Sequence, residues 1–239
     1  MLDVHPPHEP VHTWKDFLVH MMAICLGLLI AIGLEQSVEY VHRHHERQQL
    51  RDDLRTEAEK QIRLLHQNQS VCAESIAWSR AILHAGRDVV PSNGYVTYVL
   101  PQRKGGPPLQ VLANSVWTAA KSSGGVAVLS REEIVTWDQI DYLAQITDKS
   151  FQDREAALQK LYALVDRTDT PQTPGGTVHL SVADRDEEMR DLASLIEATW
   201  MIERNSALWE AANRAVLDGA TTRSEILAYQ ARALKAMPQ

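Results

Sequence analysis

Glu39, His42 and His45 lie three residues apart in the run Glu-Tyr-Val-His-Arg-His-His-Glu. Helical residues at that spacing share a face, so one side would carry a carboxylate and two imidazoles, ligand types suited to a transition metal. Di-iron carboxylate bundles use such Glu-x-x-His pairs on two helices, with further glutamates completing the centre. The other pair with this spacing, Glu9-Pro-Val-His12, sits in a Pro- and His-rich tail over residues 1–13, a poor setting for a helical ligand pair. A parallel dimer would instead bring two copies of His42 and His45 together. The competing reading, which we favour, is a solvated collar where His and Arg meet lipid phosphates.

Other reaction chemistries have less support. The chain has no Gly-x-Ser-x-Gly elbow, and Cys72 falls on the apolar stripe of a helical pattern, where a small buried thiol is the default. His84 and His179 have no partner carboxylate nearby in sequence. "SSGGVAVLS" lacks the Lys-Ser/Thr of a phosphate loop, and "TPGGTVHL" lacks the third glycine of a dinucleotide turn. The expectation is a protein that is not an enzyme and carries no cofactor. With 239 residues, a net charge of -7 and no long basic run, the chain is also a poor nucleic-acid binder. Its two cysteines, Cys25 and Cys72, exclude a disulfide framework and a cysteine zinc site.

The element that would position the histidines is an apolar block. From Phe17 to Leu34 every residue is apolar or Gly except His20, and the block has no polar face. Its length, about 18 residues, is near the lower limit for crossing the hydrocarbon as a helix. Trp14 and Tyr40 frame it at roughly 39 Å along a helix, the depth of a bilayer with its interfaces. A cleaved signal peptide needs a basic leader, and Lys15 alone precedes the block among Asp3, Glu9 and Asp16. The reading is an uncleaved transmembrane helix over 14–41, continuing as a stalk helix over 42–85. Ala23, Gly27 and Ala31 recur every four residues; such a ridge lets two helix backbones approach in lipid. A homo-oligomer or a membrane-protein partner follows as an expectation. Arg43, Arg47, Arg51 and Arg55 follow the block, which by the positive-inside rule points to a cytoplasmic body.

Residues 86–239 read as an antiparallel helical bundle, so the fold class is all-α with at most a small β-ribbon. "YVTYVL" and "TVHLSV" alternate as short strands. A helix is expected from Pro108 to Ser123, ending at Gly124. Ser130 with Glu133 opens a helix to about Asp166, with an apolar stripe including Phe151, Leu158, Leu161 and Val165. Ser181 with Asp184 opens the next, which Gly219 ends, and Thr222 with Glu225 opens the last. In the fourth helix Leu195, Ile202, Trp209 and Val216 form a heptad seam. Beside them run Leu192, Thr199, Ser206 and Asn213. The polar members Thr199, Ser206 and Asn213 either line a ligand cavity or hydrogen-bond within the bundle to fix its register; the second is preferred.

Trp117, Ala120, Ser123, Gly124, Leu129, Trp137 and Tyr142 form a Trp-x-x-Ala-x-x-Ser-Gly stretch followed by a Leu and an aromatic-bearing helix. With the exit segment "GLLIAIGLEQSVEYVHRHHE", this resembles a broad group of uncharacterised bacterial single-pass membrane proteins. The resemblance implies an inner-membrane protein with an N-terminal span and a helical body facing outward, and no known activity. The arginines argue the opposite orientation. The reading leans to the periplasmic side and leaves the orientation open. Three functions are weighed: an interaction or accessory subunit, first; a sensory or small-ligand-binding domain; and a juxtamembrane metal-binding protein.

Overall fold

The computed structural model of the protein describes residues 14–103, 107–168, 170 and 173–237. The expected tail, with Glu9 and His12, lies outside the described residues, as does Thr13, which with Asp16 three residues on reads as a helix start. The elements are α1 (Trp14–Arg87), β1 (Tyr95–Val99), α2 (Ser115–Ser123), α3 (Arg131–Thr168), β2 (Thr177–Ser181), α4 (Val182–Leu217) and α5 (Arg223–Ala236), with a 3-10 turn at Gly125–Val128. The chain is all-α apart from a two-stranded antiparallel ribbon. It divides into two compact units, Met1–Leu50 and Arg51–Gln239.

The described part of the first unit is the leading portion of α1. Every residue from 14 to 46 is exposed. One helix, α1, has a stretch long and apolar enough to cross a membrane, and none of that stretch is buried. The rings of Trp14 and Phe17 stack at 5.5 Å, and Ser37 Oγ donates back to the Gly33 carbonyl at 2.7 Å.

In the second unit, cross-helix hydrogen bonds fix the directions of the helices. Arg51 Nε donates to Glu133 at 2.6 Å, Arg55 Nη2 to the Leu217 carbonyl at 3.0 Å and Arg185 Nη1 to the Gly86 carbonyl at 3.3 Å, so α4 runs antiparallel to α1. Thr136 bonds Thr221 and Arg167 bonds Asp184, which sets α3 antiparallel to α4. Leu54, Leu65, Trp117, Ile140, Ile202, Trp209 and Ile226 are almost wholly buried between these helices. Ser130, Ser181 and Thr222 each accept the backbone N–H three residues on, and Glu133 and Glu225 close capping boxes. Gly124, at φ 77°, ends α2 in the left-handed region that a side chain disfavours.

The ribbon pairs Tyr95 with Ser181 through to Val99 with Thr177. Its alternation turns Val96, Tyr98, Val178 and Leu180 inward to a cluster with Ile82 and Leu192. Outside, Tyr95 stacks on His179 at 4.8 Å.

Two expectations need correction. Residues 108–114 are not helical, and α2 starts only at Ser115. Glu57 on α1 accepts the Ser115 N–H at 2.9 Å and that of Val116 at 3.2 Å, so α1 supplies the negative cap that fixes the start. The segment before it stays extended because Asn68 grips Gln110 through both backbone groups, at 2.7 and 2.8 Å. The sequence also places Leu54, Ala58, Ile62, Leu65, Cys72 and Ile76 on one apolar stripe of α1, with Gln69 as its polar exception, and the buried face departs from it by one residue at two points. Gln61 and Asn68 are buried, whereas Ile62 and Gln69 are half-buried.

Candidate functional site

The polar residues of the α4 seam lie on the inward face. Thr199, Ser206 and Asn213 are at most 1% exposed. Thr199 Oγ1 donates to the Leu195 carbonyl one turn back at 2.7 Å. Asn213 Nδ2 donates to Gln61 Oε1 at 3.0 Å, and Gln61 Nε2 donates to Asn114 Oδ1 at 3.0 Å and to the Ala113 carbonyl at 3.1 Å. One amide of α1 thus links the cap of α2 to α4. Ser206 Oγ, Trp209 Nε1, Asn213 Oδ1 and Asn114 Nδ2 have no hydrogen-bond partner among the described residues.

Around the exit histidines the carboxylates are engaged locally. Glu39 accepts from Arg43 Nε at 2.6 Å, and His42 Nε2 lies 3.0 Å from Glu46. Tyr40 stacks on His44 at 6.5 Å. Among the described residues, no group of three His, Cys, Asp or Glu side chains is placed to hold a metal ion. His45 and Glu39 are exposed, as are Ala23, Gly27 and Ala31, and a side chain added at Gly27 would meet nothing within 4 Å.

The aromatic motif is a packing device. Trp117 and Trp137 lie 6.4 Å apart, Trp117 Nε1 donates to Asp138 at 3.2 Å, and Lys121 reaches Asp141 at 2.6 Å while covering the Trp117 face. The hydrogen bond to Asp141 holds the Lys121 ammonium pKa above its ordinary value. Cys72 is fully buried, and burial pushes its thiol up to about 12, with Glu203 adding to the rise, which disfavours the thiolate form.

Set against known protein families, curated proteins and solved structures, the chain matches none of them. The site must therefore be read from geometry alone.

Sequence reasoning missed the most unusual group. Glu188 is 8% exposed, and its Oε2 accepts the hydrogen bond of the Tyr98 hydroxyl. Among the described residues no Lys, Arg or His forms an ion pair with it. Burial pushes its carboxyl pKa up, a shift the Tyr98 hydrogen bond only partly offsets. Burial, and then the Glu188 charge, raise the Tyr98 phenol in turn. Glu188 lines a cleft of about 210 Å³ whose other walls are Trp78 and Ile82 from α1, Leu158 and Leu161 from α3, and Leu192 from α4. The signal was present in the sequence: Glu188 stands seven residues before Leu195, one heptad up the apolar seam of α4.

Proposed function

We propose that this is a single-pass membrane protein that works by binding other proteins, as a homodimer or as the accessory subunit of a membrane complex, and not by catalysis. The observation that carries this reading is the leading stretch of α1, apolar on every side and unburied throughout. An apolar helix of that length is stable when lipid surrounds it. The Ala23, Gly27 and Ala31 ridge, open beside Gly27, suits close helix–helix approach within lipid, where small residues replace the hydrophobic driving force. The reading places the protein in a bacterial inner membrane with the body on the periplasmic side.

Purification in mild detergent tests the proposal. It expects a dimer or a defined co-purifying partner, and a clean monomer would overturn it. Gly27→Leu should weaken the association about tenfold or more by holding the backbones apart, whereas an unchanged assembly would remove the ridge from the account. A topology reporter fused after Gln239 should report the periplasmic side.

A further inference from the structure

The cleft around Glu188 has a property that a structural role for the carboxyl does not require. Leu158, Leu161 and Val165 belong to the apolar stripe of α3 and would be core residues by their spacing, yet all three are only half-buried because they border this opening. The folded chain therefore keeps apolar wall exposed beside a carboxyl that has no ion-pair partner among the described residues. A cavity with hydrocarbon walls and one or two polar groups is the usual form of a small-molecule site. The polar group sets the ligand class. Glu188 is an acceptor inside the cleft, and its unmet need is a donor with positive charge. Arg103, the cation among the described lining residues, is exposed and already lies over the Trp78 ring at 5.1 Å, so it requires no anionic ligand.

We propose that this cleft binds a small apolar molecule carrying a protonated amine, with its hydrocarbon part against Leu158, Leu161 and Leu192 and its ammonium donating to the Glu188 carboxylate. The volume of about 210 Å³ suits one ring with a short chain, on the scale of roughly 30 Å³ per water displaced. Tyr98 holds the carboxylate in place from the ribbon side. This site is independent of the membrane association proposed above, since all its residues lie within the second unit.

Titration calorimetry of the full chain in mild detergent tests it, with 2-phenylethylamine as the probe. The neutral 2-phenylethanol and the anionic phenylacetate serve as comparators. The amine should bind saturably, with a Kd roughly in the submillimolar range for so few atoms. It should bind about tenfold or more tightly than the alcohol, the margin of a charge-assisted hydrogen bond. Glu188→Gln should abolish that preference, and Leu158→Trp, which adds bulk at the half-buried rim, should remove binding of both amine and alcohol. The proposal fails if the amine does not bind saturably, if the alcohol or phenylacetate binds equally well, or if the preference survives in Glu188→Gln measured in the same detergent.

Discussion

At the scale of single residues, Glu188 departs furthest from what a packed helical core tolerates. A carboxyl with no paired cation in such a place favours its neutral form. Its pKa in the folded chain lies above the unfolded value near 4.5 because of burial. Between those two pKa values the folded state holds a proton that the unfolded state releases. The stability this group contributes is full below the unfolded value and is lost as the pH rises towards the folded pKa. Glu188→Gln keeps the shape and an acceptor for Tyr98 while removing the charge. Its denaturant midpoint should exceed that of the wild type at about pH 8, by about 1 kcal/mol of stability, and the two should converge at about pH 4. A constant difference between the two pH values would mean the carboxyl titrates as it does in the unfolded chain. The heptad spacing puts Glu188 on the seam, yet the apolar pattern did not mark it, and nothing local pointed to its partner. Tyr98 lies in a short strand 90 residues earlier, and no local spacing ties the two together. The exit histidines show the converse. Their spacing read clearly, but Arg43 and Glu46 meet the neighbouring groups within one turn of the same helix.

At the scale of elements, caps and periodicity were legible because they are local. Ser130, Ser181 and Thr222 open helices as expected, since a cap needs only its own side chain and the next turn. The start of α2 was not legible, because its cap is Glu57 on another helix. The phase of α1 slipped for a related reason. Stepping by four drifts around a helix of 3.6 residues per turn, and the buried residues that reset the step, Gln61 and Asn68, are polar and so fall outside an apolar pattern. In the structure they are the seam. Gln61 and Asn213 form a buried contact between α1 and α4, and each is costly without the other. Asn213→Ala should cost about 1–3 kcal/mol by leaving the Gln61 carbonyl without its donor. Replacing both residues with leucine should cost less than the sum of the two single leucine replacements. Strictly additive losses would show that the two amides act independently.

At the scale of the whole molecule, the two units divide the work of solubility and folding. Arg51–Gln239 carries its own buried core, whereas residues 14–46 bury nothing. A chain trimmed to residues 46–239 should be soluble without detergent and unfold cooperatively by circular dichroism. Aggregation, or a broad transition, would place essential packing in the removed part. The all-α class and the helix count were readable from composition and caps. The ribbon of two strands was readable, but its register was not, because it joins Tyr95 to Ser181, far apart in the chain. That separation governs the order of assembly. Closing a loop of roughly 80 residues costs about 4 kcal/mol of chain entropy before any ladder bond forms, so β1 holds β2 more readily once α2 and α3, the helices between them, have formed and shortened the path. During synthesis at about 5–20 residues per second, β1 waits roughly 4–16 s for its partner to emerge, with Val96, Tyr98 and Leu100 uncovered. β1 is therefore a place where the nascent chain can be caught by a chaperone or by a neighbouring copy before β2 emerges.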